Sequence, residues 1–409
     1  MICRSCGRQG TETILELGRT PLANAFLTPE QLDDPEPTWP LDLALCPGCS
    51  LVQITETVPP DMLFRDYLYF SSFSDTMVRH ARELVDGMIA SLKLGAGSLA
   101  VEIASNDGYL LQHYQRRGVP VLGIEPARNI ARIAQQERGI RTVCDFFGEP
   151  LAQQLLAEGV QADILHAHNV LAHVANLNGF VEGMRLMLKE GGRAVIEVPY
   201  CKDMFDRCEF DTIYHEHLCY FSLTALEHLF RRHGLVIEDV QRLEIHGGSL
   251  RVRCARADTA IRSATSPSVE ALLAEEAGWG VDRPEFYRGF ALRIGTLRGK
   301  LRTLLADLKA RGKRIAAYGA AAKGSTLLNY MGIGSDTVDF VVDRSSHKQG
   351  LHMPGVRLPI HSPARLLEAK PDYVLLLAWN FSEEILEQQA EYRRGGGRFI
   401  IPLPEPRIV

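Results

Sequence analysis

From Ser98 onward the chain alternates short, unbroken apolar runs with stretches whose apolar residues recur every three or four positions. SLAVEIA (98–104) is the first run, and its brevity and continuity predict a strand buried on both faces. SNDG supplies turn residues, and YLLQHYQRRG has the period of an amphipathic helix. VPVLGIEP, IRTVCDF and ADILHAH repeat the strand signature, the first ending at Glu125 and the second at Asp145. FVEGMRLMLKEGGRAVIEVPY predicts a helix, a Gly-Gly turn and a fifth strand. Strands alternating with helices imply an α/β fold with a parallel sheet, and a ligand at the carboxyl ends of its strands. Residues 258–311 read as helical and connective. RIAAYGAAAKGSTLLNYMGI then reads as strand, glycine turn and helix, and VDFVVDRSSHKQG as a strand ending at Asp343. PDYVLLLAW and GRFIIPLP complete a second, smaller doubly wound unit. With breaks near Arg65 and Arg253, three parts are expected: residues 1–65, 66–253 and 254–409.

Composition narrows the function classes. The 409 residues are 46% hydrophobic and 23% charged, which excludes a largely disordered chain. The formal net charge of −5 gives no whole-chain field toward nucleic acid, so no nucleic-acid partner is expected. No apolar run approaches the roughly 20 residues that span a bilayer. The N-terminal MICRSCGRQG has no apolar core of a secretory signal, so the nine cysteines read as reduced and the protein as cytoplasmic, and a monomer is expected.

Four cysteines stand apart by spacing. Cys3-x-x-Cys6 and Cys46-x-x-Cys49 offer four thiolates to a tetrahedral zinc ion, in a structural role with no open coordination position. A redox C-x-x-C needs a neighbouring βαβ pattern, and the Pro-rich stretch between the pairs shows none. The other five cysteines are scattered, and ordinary packing is expected of them.

The turn after the first strand of the middle unit reads Glu102-Ile103-Ala104-Ser105-Asn106-Asp107-Gly108. A dinucleotide fingerprint needs G-x-G-x-x-G there, and only the last glycine is present. The densest chemistry follows the fifth strand: Tyr214, His215, Glu216 and His217 within four positions. Histidine moves protons near neutral pH, and a phenol or carboxylate beside it sets its tautomer. The spacing is not H-E-x-x-H; a metal-binding His-x-His and a purely structural histidine pair remain open. Three further segments are candidates to converge there: Tyr67 to Ser72, His168 to His173 and His246 to Arg251. In the last unit, Lys323-Gly324-Ser325 is not a Walker A loop, but it sets a lysine and backbone N–H groups at a helix N-terminus, an arrangement that favours a diphosphate.

The acidic strand ends at Glu102 and Glu125 resemble those of class I S-adenosylmethionine methyltransferases. Taken with CRSC, CPGC, EIASNDGYLL, GIEP, HNVLAHV, YHEHLCYFS, HGGSLR and AYGAAAKGST, nearly the whole chain resembles the NDP-sugar C-methyltransferases of deoxysugar pathways. That family has a zinc-binding N-terminal domain, a class I methyltransferase domain and a C-terminal Rossmann-like domain. Ala104 departs from it, since glycine is common at that turn position. The resemblance implies S-adenosylmethionine and structural zinc as cofactors, and a dTDP- or other NDP-linked 4-keto-6-deoxy sugar as substrate, methylated at C3. It implies His217 as the base, with Tyr214, Glu216, His173 and Tyr69 assisting. The methyl donor would lie against Glu102, Ala104, Ser105, Asn106, Gly108, Tyr109, Leu110, Glu125, Pro126, Asp145, Phe146, Asn169 and Val170. The sugar nucleotide would meet Tyr67, Asn169, His215, His246, Gly247, Gly248, Lys323, Gly324, Ser325 and Asn380. An O- or N-methyltransferase on a sugar nucleotide needs no base beside a ketone and is the nearest rival. An NAD-dependent oxidoreductase is opposed by both glycine turns, and a zinc-knuckle nucleic-acid binder by the acidic balance.

Overall fold

A computed structural model describes residues 1–64, 70–258 and 266–409. The middle sheet has seven strands, numbered here along the chain: β1 Ala100–Ile103, β2 Val121–Ile124, β3 Thr142–Val143, β4 Ala162–His168, β5 Leu188–Pro199, β6 Leu235–Leu243 and β7 Ser249–Arg256. Their spatial order is β6-β7-β5-β4-β1-β2-β3. All neighbours are parallel except β7, which runs antiparallel to both β6 and β5. This is the class I methyltransferase sheet, with its switch point between β1 and β4. The strands formed where apolar runs were expected, because each is covered on both faces and buries most of its side chains, in β5 chiefly those from Ala194 to Val198.

The expected Gly-Gly turn before β5 is built into the strand as a bulge, with Gly191 at a φ of 79°. Helix Leu177–Met187 passes directly into β5, and residues 189–192 bulge between the register pairs Ala162↔Leu188 and Ile164↔Arg193. Gly192 is required there, since a Cβ would stand 2.7 Å from the Ala162 carbonyl oxygen.

The cysteine-bearing N-terminal part is built on a small antiparallel sheet that apolar patterning did not announce. Strands Glu12–Thr20, Trp39–Leu45 and Val52–Ile54 pair in sequence, and the fourth strand, Cys219–Tyr220, comes from the histidine motif far along the chain. The last unit carries a six-stranded sheet, five strands parallel, whose first strand Ile315–Tyr318 leads through Gly319 into helix Ala322–Met331. Helices Pro267–Trp279 and Pro284–Ala310 connect it to the middle sheet. The principal apolar core runs continuously through all three parts. Among the described residues no helix is long and apolar enough to cross a membrane.

Candidate active site

One cavity of about 670 Å³ opens at the carboxyl ends of the middle strands and is closed by the histidine motif and by loops of the last unit. On its sheet side lie Ala104, Asn106 and Tyr109 after β1, Glu125 and Pro126 after β2, Phe146 after β3, and Asn169 and Val170 after β4. Ala104, Asn106 and Asn169 all hold left-handed backbone, with φ of 54°, 50° and 53°. For Ala104 this shows why glycine is common at the position: the turn is kept, and the alanine carries a conformational cost of about 1–2 kcal/mol.

Glu125 is buried, and its two oxygens accept from the N–H groups of Asn106 and Ala127, both at 2.9 Å. Burial pushes its carboxyl up to about 7 against those two bonds. A carboxylate offers about four acceptor sites, so two remain on a group that borders the cavity. The Asn106 side chain accepts from Ser71 N–H at 2.9 Å, which fastens the segment before the sheet over the same turn.

A second chain of hydrogen bonds runs beneath the floor. Tyr114 Oη lies 2.8 Å from His166 Nε2, and His166 Nδ1 lies 2.9 Å from His168 Nε2. His168 Nδ1 is 3.1 Å from Glu197, which also takes Arg251 at 2.6 Å and His80 at 3.0 Å. Burial opposes ionisation of Glu197, but His168, His80 and Arg251 hold its carboxyl well below the usual range. His168 borders the cavity, so this network fixes the loop carrying Asn169.

Across the cavity, His217 Nδ1 is 2.8 Å from the Thr212 carbonyl oxygen, which can only accept. The Nδ1 proton is therefore placed there, and Nε2 keeps its lone pair, 2.9 Å from the Tyr214 hydroxyl. Burial, then the repulsion that a second proton would meet beside the His173 ring, holds His217 well below the usual histidine range, so it is neutral. The His173 and His217 rings sit 4.8 Å apart, edge to face. Lys323, Asn380, Gly247 and Gly248 border the same space. The Lys323 ammonium stands 5.0 Å from the Trp379 ring centre, and that indole donates to Asp211 at 2.6 Å.

Several expected residues lie elsewhere. Glu216 is not on the cavity: its buried carboxylate accepts from Asn24 at 2.7 Å. His215 turns the other way, with Nε2 3.0 Å from the Pro40 carbonyl. Ser325 donates to the Ala23 carbonyl at 2.7 Å, and Gly324 packs on Leu377. Glu216, His215 and Ser325 serve contact between the parts of the chain, and Gly324 packing within the last part, rather than the cavity. Glu102, Ser105 and Leu110 are buried below the turn, Gly108 packs on Ile140, and Asp145 is exposed and caps Phe146 N–H. Asp343 is used to hold the glycine loop, accepting from Ala320 N–H at 2.7 Å. Tyr67 and Tyr69 fall outside the described residues, and His246 is placed by its backbone only, in the turn Ile245–Gly247. Cavity residues that the sequence did not single out include Glu209, Tyr200 and Cys201, and Thr212, Cys219 and Tyr220 join them from around the histidine motif, where they were given no role. So Cys201 and Cys219 line the cavity, and Cys144 is exposed rather than packed.

At the other end of the histidine motif, the sulfur atoms of Cys3, Cys6, Cys46 and Cys49 all lie within 4.8 Å of one another. The Cys3–Cys49 and Cys6–Cys46 separations of 3.6 and 3.5 Å are close to the edge of about 3.8 Å of a Zn–S₄ tetrahedron. The four thiols fit zinc.

Comparison with known proteins follows the same three parts. A zinc-binding domain family matches residues 3–64, a methyltransferase domain family residues 77–240, and a C-methyltransferase C-terminal domain family residues 244–404. The C-methyltransferase NovU of Streptomyces niveus is 37% identical over 409 residues, spanning 100% of this chain and 96% of that protein. The chain belongs to this C-methyltransferase family. Among solved structures, an S-adenosylmethionine-dependent methyltransferase from Clostridium acetobutylicum is 9% identical, covering 44% of this chain and 92% of its own, with a TM-score of 0.35. A magnesium protoporphyrin IX methyltransferase from Synechocystis with bound S-adenosylhomocysteine is 14% identical, covering 44% and 83%, with a TM-score of 0.35. The methyltransferase thus uses S-adenosylmethionine and carries a four-cysteine zinc site. The free acceptor sites of Glu125 suit the ribose hydroxyls of that donor, and the apolar wall at Pro126, Phe146 and Val170 suits its adenine.

Proposed function

We propose that the methyltransferase transfers a methyl group to C3 of a nucleotide-linked 4-keto-6-deoxy sugar, with His217 as the base. Carbon 3 lies beside the ketone, so its proton is acidic enough for a neutral imidazole in hydrogen-bond reach. The observation that carries this reading is the Thr212 carbonyl on Nδ1, which leaves His217 Nε2 as a proton acceptor on the cavity wall. The C3 proton reaches Nε2 directly or across the Tyr214 hydroxyl, and the electron pair of the C–H bond becomes the enolate. His173 and Asn169 stand beside that space, and Asn169 supplies a side-chain amide donor for the C4 oxygen. S-adenosylmethionine, when bound, supplies the methyl group that the enolate carbon takes up. Lys323, at the start of helix Ala322–Met331, supports placing the diphosphate there, with the nucleoside toward Asn380. The modest negative net charge means such an anion is held by local donors.

Glu216 acts at one remove. It ties the catalytic motif to Asn24 of the zinc-bearing part and is a positioning residue. The test is exchange in heavy water without methyl donor: a dTDP-4-keto-6-deoxy sugar should gain deuterium at C3 with the wild type. His217→Asn should lose at least about 100-fold in exchange and in methylation. Exchange at the normal rate in that variant would show the base to be another group. A product spectrum with a new O–CH₃ or N–CH₃ signal would replace C-methylation of this substrate altogether.

A further inference from the structure

Glu209 is 4% exposed and borders the cavity, yet among the described residues its carboxylate has no hydrogen-bond partner. Only its backbone is engaged: its N–H donates to the Met204 carbonyl at 2.9 Å, and its carbonyl accepts from the Thr212 N–H and hydroxyl, at 3.2 and 2.8 Å. Of the neighbouring carboxylates, Asp203 takes Arg242 at 3.0 Å and Asp211 takes the Trp379 indole at 2.6 Å, and neither borders the cavity. Room for the Glu209 carboxylate is made by Gly247, whose φ is 91° and where a Cβ would stand 2.9 Å from Oε2. The Glu209 oxygens face the cavity with no protein donor among the described residues, so a ligand that brings one gains a hydrogen bond in a largely desolvated place.

We propose that Glu209 is a specificity-determining residue that accepts hydrogen bonds from a hydroxyl or ammonium group on the sugar ring, an inference resting on the sugar-nucleotide reading of the cavity. The diphosphate is excluded as its partner by like charge, and Lys323 is the cation available to that anion. The ring is the remaining donor-bearing part near the base. Thr212 joins the two groups: its N–H and hydroxyl hold the Glu209 carbonyl, and its own carbonyl holds His217. Glu209 therefore caps the turn Phe210–Thr212, and His217 is fastened to the last residue of the same turn. Burial pushes the Glu209 carboxyl up to about 7, against the pull of Lys323, as fits a group waiting for a donor.

The test uses the full-length zinc-loaded enzyme and three dTDP-4-keto-6-deoxy sugars that differ at one ring position: hydroxyl, amine or hydrogen. Glu209→Gln keeps the shape and removes the charge, and Glu209→Asp keeps the charge and retracts it. KM for the donor-bearing sugar should rise about tenfold in Glu209→Gln, with kcat changed by less than about threefold, and the hydrogen-bearing sugar should be unaffected. A larger loss for the amine assigns an ammonium partner, and equal losses with a hydroxyl assign the hydroxyl. Equal KM for all three sugars in the wild type and both variants would overturn the role of Glu209 while leaving the methylation intact. No turnover of any of the three by the wild type would instead overturn the sugar reading itself. Methyl-donor affinity and thermal midpoint, measured on each variant, separate misfolding from recognition; a variant with normal values for both and unchanged sugar discrimination counts against the proposal.

Discussion

A histidine is a base only at the nitrogen that carries no proton, and in this chain the Thr212 carbonyl decides which one that is. The Tyr214 hydroxyl lies on the remaining lone pair at 2.9 Å, three residues away in sequence. Tyr214→Phe removes that contact and leaves the lone pair. It should lower kcat about 10- to 100-fold, less than His217→Asn, with methyl-donor affinity unchanged by calorimetry. A wild-type kcat would mean that the hydroxyl is idle. The density of the motif made Tyr214 and His217 visible in the sequence. Density alone does not say which way a side chain points, so it also drew in His215 and Glu216, which face Pro40 and Asn24. Glu209 had the opposite fate: one acidic residue outside the motif carries no local signal, and only the fold brings it to the cavity.

At the level of elements, strand Cys219–Tyr220 is the hinge between metal and chemistry. It continues the catalytic motif and pairs with Val52–Ile54 of the zinc-bearing sheet, at Val52↔Tyr220 and Gln53↔Cys219. The Ile54 N–H adds a bond to the Leu218 carbonyl at 3.0 Å. Cys46 and Cys49 flank the tight turn that precedes Val52, so the metal fixes the strand that the motif leans on. Stripping zinc, or Cys49→Ser, should therefore disarm the base and spare the donor site on the middle sheet. The expected result is loss of deuterium exchange at the substrate carbon, with methyl-donor affinity retained within about threefold. Loss of both together, with unfolding of the whole chain, would show that zinc holds the entire molecule. The middle strands were legible in sequence because burial on both faces leaves unbroken apolar runs. The pairing of Cys219–Tyr220 was not, because a two-residue strand has no period and its partner lies more than 160 residues away.

For the whole molecule, pH reads out how many buried groups the fold holds in their neutral state. Burial pushes the carboxyls of Glu125, Glu209 and Glu216 up to about 7. Each is raised above its unfolded value, so its contribution to stability is fully present below about pH 4.5 and is lost as pH rises through about 7. His173, lowered to about 4 by burial, works in the opposite sense: its contribution is present above about pH 6.5 and is lost as pH falls toward 4. Between pH 4.5 and 6.5 the two sets oppose each other. At pH 6.5 the unfolded histidines, His173 and the likewise lowered His217 among them, are already half titrated while the three folded carboxyls are still largely protonated, so the thermal midpoint of the donor-free protein should fall between pH 6.5 and 8. S-adenosylmethionine changes one member of the set. If its ribose hydroxyls donate to Glu125, the carboxylate form is favoured in the complex and a proton leaves on binding. Calorimetry at pH 7 in buffers of different ionisation enthalpy should then show release of up to about half a proton. Affinity for the donor should rise from pH 6 to about 7.5 and level off above, and the donor-bound protein should show a shallower fall in thermal midpoint than the free one. Glu125→Gln has no proton to release, so it should bind weakly at every pH with no buffer dependence. A wild-type affinity that is flat from pH 6 to 8 would remove Glu125 from the donor site.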